Sequence, residues 1–167
     1  MNKNMDGLEA FKATLSAHQR REAYATTGAI YDVAKARYLF SINQHPDVRV
    51  SKECVDDLCK LMNMDYPALD VVDNLPAVHA LTGVDDNYAR DLKNDAPLLL
   101  VMHTNKDGRT EPLIIDGNHR LRHAFLHSRD FISVECLCAE LALEAIQYRN
   151  PAHEPVYQTK PLQEAIE

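Results

Sequence analysis

The sequence predicts an α+β protein in which a small mixed sheet is flanked by helices and covered by an extra helical layer at the N-terminus. Three observations predict this class. Apolar, β-branched runs of strand length occur between residues 98 and 137. The glycine turn Asp116-Gly117-Asn118 joins one of these runs to a helical pattern. Apolar residues recur at helical spacing over residues 8–39.

The N-terminal part of the chain is predicted to be helical. The apolar pattern over residues 8–39 indicates two helices that separate around residues 26–28 and end before Pro46. Ser51 then has the features of an N-cap, although Cys54 stands where Glu or Gln would complete a capping box. The sequence therefore predicts a further helix over residues 52–63.

Strands and helices alternate in the second half of the chain, where Asp107-Gly108 is typical of a hairpin tip. The predicted elements are a strand at 68–72, a helical region at 78–93 that breaks near Gly83, strands at 98–102 and 112–115, a helix at 118–128 and a strand at 132–137.

Three regions follow from these elements. Residues 1–65 form a helical N-terminal extension that packs on the core and offers a surface for a protein partner. Residues 66–142 form the core. Residues 143–167 contain the end of a helix and then a tail with Pro151, Pro155 and Pro161, which is expected to be extended.

The turn after residues 112–115 is the strongest functional signal. A buried strand ends there, glycine accepts a positive φ angle, and a helix begins at once. The first amides of a helix lack partners and the helix dipole is positive at that end, so an anion can bind there. His119 and Arg120 stand beside this position. The pattern predicts a phosphate-binding corner.

The run from Ile115 to Ala124, Ile-Asp-Gly-Asn-His-Arg-Leu-Arg-His-Ala, resembles the signature of the ParB/sulfiredoxin superfamily. The resemblance implies a ParB/sulfiredoxin-like core over residues 66–142 and a nucleoside di- or triphosphate, ATP, ADP or CTP, bound with Mg²⁺. Members of the superfamily include CTP-hydrolysing partition proteins, sulfiredoxin, an ADP-dependent serine kinase and plasmid fertility-inhibition proteins with ATPase and nuclease activity. The resemblance predicts the fold more closely than the reaction.

The resemblance also assigns roles to residues of the turn. Asp116, His119 and Arg120 are the catalytic candidates, with Asp116 as a base or as a carboxylate on the Mg²⁺ side. The nucleotide-binding candidates are Gly117, Asn118, His119, Arg120, Arg122 and His123. Sulfiredoxin chemistry is not expected, because Asn118 stands where that enzyme has its cysteine. A partition role is not expected either, since no helix-turn-helix pattern follows the turn.

Simpler interpretations of the same residues stay open. Asp116 could be a turn or capping carboxylate, and Arg120 could form a salt bridge. His119, His123 and His127 repeat every four residues, so they could form a solvated or anion-facing stripe, or could bind zinc with His103 or Asp116. We assign no metal ligand. Cys136 and Cys138 are expected to pack in the core.

Composition limits the functional class. The net charge of -7 argues against broad binding to nucleic acid, and no apolar run is long enough to span a membrane. We therefore expect a soluble, cytoplasmic protein with reduced cysteines. A nucleotide hydrolase or small-molecule phosphotransferase is the leading hypothesis. The alternatives are an accessory protein or nuclease of plasmid or phage type that acts in DNA transactions, and a binding module without catalysis.

Overall fold

The computed structural model describes residues 3–26, 28–43, 49–61, 84–105 and 107–149. These residues form helices and strands in the following order: α1 (Lys3–Ala13), α2 (Ala17–Arg21), β1 (Ala23–Ala25), β2 (Ala29–Asp32), α3 (Val33–Ile42), β3 (Arg49–Cys54), α4 (Val55–Leu61), α5 (Asp86–Arg90), β4 (Leu98–Thr104), β5 (Thr110–Asp116), α6 (Asn118–Leu126), β6 (Phe131–Leu137), α7 (Ala139–Glu144) and β7 (Ile146–Arg149). The α+β class predicted from the sequence is confirmed.

The main sheet has four strands in the order β3-β6-β4-β5. Strands β4 and β5 form the expected antiparallel hairpin, and β4 runs parallel to β6, so the sheet is mixed as predicted. Strand β5 returns the chain to the end of the sheet at which β4 begins, and α6 connects β5 to β6 on the other side of β4, so β6 can pair with β4 in parallel. The predicted hairpin, the helix that follows it and the strand at 132–137 are confirmed.

Two apolar clusters cover the two faces of this sheet. One contains Leu99, Val101 and Ile115 and includes residues of β2, α3 and α7. The other contains Leu98, Leu100 and Ile114, and packs against α4 and α6. Neighbouring residues of β4 point to opposite faces, and both faces are buried, so the strand is apolar throughout its first half.

The sequence predicts two helices over residues 8–39 that separate around residues 26–28. This prediction is wrong for the residues between α2 and α3. Residues 23–32 contain the antiparallel pair β1 and β2, which pairs in turn with β7 as a second, three-stranded sheet. Thr26 closes the connection, because its hydroxyl accepts hydrogen bonds from the amides of Gly28 (3.2 Å) and Ala29 (2.9 Å). Tyr24, Ile30 and Tyr31 have strand preference, and this local preference prevails over the helical spacing.

The helix predicted over residues 52–63 begins too early. Residues 49–54 form β3, which pairs with β6 along its whole length, and the helix α4 starts at Val55. The Ser51 hydroxyl contacts Glu53 Oε1 at 2.5 Å in the strand instead of capping a helix. A strand in the main sheet therefore comes from the segment that was expected to be only a helical extension.

Other predictions fall partly outside the described residues. The strand at 68–72, the break near Gly83, the proposed boundary at residue 66 and the proline-containing tail all lie there. Within the described part, α5 corresponds to the predicted helical region at 78–93, and residues 146–149 form β7, a strand that was not predicted. No helix in the described ranges is both long and apolar enough to cross a membrane.

Tyr31 gives a test of the packing between the two sheets. Its side chain is 1% exposed, and burial raises its pKa from 10.0 to about 12. Because the pKa of Tyr31 is higher in the folded than in the unfolded protein, the neutral phenol stabilises the fold. This stabilisation is fully present below pH 10 and is lost as the pH rises towards 12. The loss on full ionisation corresponds to about 2.7 kcal/mol.

We therefore expect Tyr31→Phe to have a flatter stability profile than the wild type between pH 10 and 12, measured by urea unfolding. At neutral pH the variant should be less stable by about 1 kcal/mol, because it loses the 2.6 Å hydrogen bond between Tyr31 Oη and His103 Nδ1. Tyr148→Phe, which changes an exposed tyrosine, is the matched control. Parallel profiles for the wild type and Tyr31→Phe would contradict this account.

Candidate functional site

The turn between β5 and α6 is built around Gly117. Its φ of 102° and ψ of 16° lie in the left-handed region, which side chains rarely adopt. A Cβ atom at this position would lie 2.6 Å from Leu98 Cδ2 and 2.8 Å from Arg120 Nη2. Glycine is therefore required both for the backbone conformation and for the close approach of Leu98 and Arg120.

The N-terminus of α6 has no side-chain cap. The helix begins at Asn118, and the first intrahelical hydrogen bond runs from the Leu121 amide to the Gly117 carbonyl at 2.9 Å. The amides that precede Leu121 in the first turn are the groups that a capping side chain or an anion normally satisfies. Within the described residues, no side chain caps the first turn of α6.

A cleft of about 630 Å³ opens beside this helix terminus. One wall is the turn itself, from Ile115 to Arg120, and the opposite wall comes from α2 and β1. A third wall comes from α5 and the residues around it. The remaining lining residues are His18, Gln19, Glu22, Ala23, Tyr24, Val84, Tyr88, Leu92 and Asn94. The helix mouth is therefore accessible from a concave surface of nucleotide size.

Asp116 is bound by two arginines at the base of the cleft. Arg37 from α3 donates to Asp116 Oδ2 through Nε (3.1 Å) and through Nη2, and Arg120 Nη2 lies 3.3 Å from the same oxygen. Arg37 Nη1 also donates to Glu135 Oε2 at 3.2 Å. Burial opposes ionisation of Asp116, but the positive charges of Arg120 and Arg37 outweigh it, and its pKa is lowered.

Arg120 is therefore held by protein groups. Besides Asp116, its Nη2 donates to the Pro97 carbonyl at 3.2 Å, while its Nε is buried without a partner. The side chain is 12% exposed. The simpler interpretation of Arg120 as an ion-pair residue describes these contacts.

Asn118 presents an unsatisfied group at the helix mouth. Its Oδ1 is buried and accepts no hydrogen bond. A buried carbonyl oxygen without a donor costs about 1 to 3 kcal/mol, so water or a ligand is expected to donate to it. Asn118 is also one of the residues that line the cleft.

Glu22 is a cleft residue that the sequence interpretation missed. It follows α2, whose start is fixed by a capping box between Ser16 and Gln19, and its amide donates to the Gln19 carbonyl. Burial raises the pKa of Glu22, and the negative charge of Asp116 raises it further. A glutamate with these properties holds its proton more tightly than an exposed one. No motif surrounds it in the sequence.

His119 connects the helix mouth to α5. Its Nε2 accepts a hydrogen bond from the Asp85 amide at 3.2 Å, and its ring meets Tyr88 edge to face with centroids 5.0 Å apart. His119 therefore serves here as a hydrogen-bond acceptor at the edge of the cleft.

The other histidines of the stripe do not reach the cleft. His123 Nδ1 contacts the Ala89 carbonyl at 2.7 Å, and His127 Nε2 contacts the Arg90 carbonyl at 3.2 Å, so both satisfy carbonyls at the end of α5. Arg122 binds Asp86 through Nε (2.8 Å) and Nη2 (3.1 Å). Arg122 and His123, predicted as nucleotide ligands, instead attach α5 to α6. Within the stripe, His127 is exposed and His119 lines the cleft.

No group of three or more His, Cys, Asp or Glu side chains within the described ranges could hold a metal ion. Two guanidinium groups already contact Oδ2 of the carboxylate that was expected on the Mg²⁺ side, and their positive charge disfavours a cation there. A Mg²⁺ ion would therefore bind mainly through phosphate oxygens and water. Cys138 is buried, as expected, and Cys136 is partly buried.

Comparison of the chain with protein-family models, with curated proteins and with solved structures finds no match. The chemical interpretation of the cleft therefore depends on its geometry and on the residues of the motif.

The turn can be tested by Gly117→Ala. We expect a loss of about 2 to 4 kcal/mol in the free energy of unfolding, because the new Cβ adds a strained positive φ and displaces Leu98 and Arg120. Gly108→Ala is the control, since Gly108 also has a positive φ (76°) but lies in the exposed hairpin. Equal losses in the two variants, measured by urea unfolding, would show that the close contacts at Gly117 contribute nothing.

Proposed function

We propose that this protein binds the phosphates of a nucleotide at the N-terminus of α6, with Glu22 as the proton-transferring group of a phosphotransferase or nucleotide hydrolase. The observation that carries the proposal is the open cleft beside an uncapped helix terminus at Gly117 and Asn118. We further propose that the fold is ParB/sulfiredoxin-like, on the basis of the residues from Ile115 to Ala124.

The donors for phosphate oxygens would be the amides of Asn118 and His119. Backbone amides at a helix start bind anions through direct hydrogen bonds and through the positive end of the helix dipole. Arg120, and Arg37 behind it, contribute positive charge near this position through their contacts with Asp116. These charges also neutralise Asp116, which would otherwise repel a phosphate.

Mg²⁺ fits the site only as part of the ligand. The donor set in the described part of the cleft is mostly amide, imidazole and phenol, and Asp116 is engaged by arginine. A bound Mg²⁺ would offset the phosphate charge and stabilise the negative charge that develops during phosphoryl transfer. The chain itself would supply orientation and proton transfer.

Glu22 fits the role of base better than Asp116. A carboxylate with a lowered pKa is a weak base, whereas one with a raised pKa accepts a proton more readily. In the proposed step, the acceptor hydroxyl or water loses its proton to Glu22 as its oxygen bonds to phosphorus. The bond from phosphorus to the bridging oxygen breaks, and its electron pair leaves with the shortened nucleotide.

The binding part of the proposal is tested by Asn118→Asp. The new carboxylate competes for the helix amides and repels phosphate, so we expect at least about tenfold weaker nucleotide binding in titration calorimetry with ATP, ADP and CTP plus Mg²⁺. Because Asn118 Oδ1 is buried, a charged oxygen there also carries a desolvation cost, so the stability of the variant is measured by urea unfolding beside the titration. Weaker binding by a variant that remains folded supports the proposal.

Glu22→Gln separates binding from catalysis in the same experiment. It should keep nucleotide affinity within about threefold and lower turnover by about 100-fold or more, because only the proton acceptor is removed. Arg129→Gln, which breaks an exposed ion pair with Asp95, is the control that should change neither quantity. Wild-type protein that gives no heat with any nucleotide would refute the proposal. Binding without turnover would support a binding module without catalysis and would contradict the enzymatic function.

A further inference from the structure

A residue outside the motif controls the charges of the cleft. Arg37 lies in α3, and its guanidinium contacts both Asp116 at the end of β5 and Glu135 in β6. Its side chain is 25% exposed, and it does not line the cleft. It therefore acts on the cleft through the carboxylates that it binds, and not through contact with a ligand.

We propose that Arg37 is a positioning residue that keeps Asp116 ionised and, through its contacts with Asp116 and Glu135, fixed in place, so that Glu22 is the carboxyl group of the cleft that gains and loses a proton. The inference rests on the proposed role of Glu22 as the proton-transferring group. Its central statement about proton affinity can be tested without any nucleotide.

The geometry of α3 supports this role. Asp32 caps the helix by accepting from the Lys35 amide at 2.9 Å, and Lys12 Nζ lies 2.7 Å from the other carboxylate oxygen. The Val33 amide donates to the Glu22 carbonyl at 3.2 Å. The first residue of α3 thus fixes the backbone of Glu22, and Arg37, about one turn later, fixes Asp116. One helix sets the relative positions of the two carboxyl groups.

The charges around Glu22 determine the direction of each effect. Asp116 from β5 raises its pKa in addition to burial, while His18 from α2, Arg37 from α3 and Arg120 from α6 lower it. Three carboxylates, Glu22, Asp116 and Glu135, therefore face two guanidinium groups. Removal of Arg37 leaves Arg120 as the only guanidinium among these groups, so protons bind more tightly to the carboxyl groups that remain.

The test is a carboxyl-carbon NMR titration of the ligand-free protein. In Arg37→Gln we expect the titration midpoint of Asp116 to rise by about 1 pH unit or more, and that of Glu22 to rise by about 0.5. Arg37→Lys keeps the charge but loses the fork, so Asp116 should move by an intermediate amount and Glu22 should stay near its wild-type midpoint. Arg129→Gln is the control for loss of an arginine elsewhere, and should move neither.

Each outcome decides the proposal. An unchanged titration midpoint of Glu22 in Arg37→Gln would overturn the proposal. If Arg37→Gln does not fold, Arg37→Lys is the deciding variant. The proposal is then overturned when the titration midpoint of Asp116 moves no further in Arg37→Lys than in Arg129→Gln. When the protein also turns over nucleotide, the acid limb of the pH profile should shift with the midpoint of Glu22. Shifted midpoints without nucleotide binding would support the charge network and refute only the proposed function.

Discussion

The ion cluster around Asp116 is the constraint on which the candidate site depends. A carboxylate at the end of the edge strand β5 is held by guanidinium groups from α3 and α6, with the Pro97 carbonyl as a further acceptor. Removing one member of such a partly buried network leaves a charge without compensation, which costs several kcal/mol. The cluster therefore fixes how β5, α3 and α6 meet, and the cleft lies above this junction.

The two kinds of polar contact on α6 have different consequences. At its N-terminus the helix has no side-chain cap among the described residues, and Asn118 Oδ1 is buried without a hydrogen-bond partner there. Along its side, His123, His127 and Arg122 are engaged with the backbone and side chains of α5. The helix is thus satisfied where it packs against α5 and unsatisfied where it faces the cleft. Groups without partners beside a cavity are those that a ligand can use.

The sequence allowed the central part of the fold to be predicted because its signals are local. A β-branched apolar run, an Asp-Gly hairpin tip and a glycine before a helix each specify structure within a few residues. The strand β3 was missed, since its pairing with β6 depends on residues about eighty positions away in the chain. A capping pattern at Ser51 that leads into a helix is a local signal that tertiary pairing overrides.

The candidate site was predictable only in part for the same reason. Gly117 and Asn118 are adjacent in sequence, and their role at a helix start follows from that adjacency. Glu22 and Arg37 reach the site through the packing of α2 and α3. The residues beside them in the sequence do not indicate a proton-transferring carboxyl group or a guanidinium that binds Asp116. Arg122 and His123 were expected to bind the nucleotide because of their place in the motif. Their spacing did not indicate that they would contact α5.

The central claim is that anionic ligand oxygens bind the amides at the start of α6. The most direct measurement is a titration of ¹⁵N-labelled protein with ADP and Mg²⁺, and separately with inorganic phosphate, followed by the amide resonances. The account predicts saturable shifts that are largest at Asn118 and His119 in both titrations, with additional shifts on the opposite wall at Glu22 and Tyr24 for the nucleotide. Saturable shifts elsewhere while these amides stay unchanged, or no shifts at all, would contradict it.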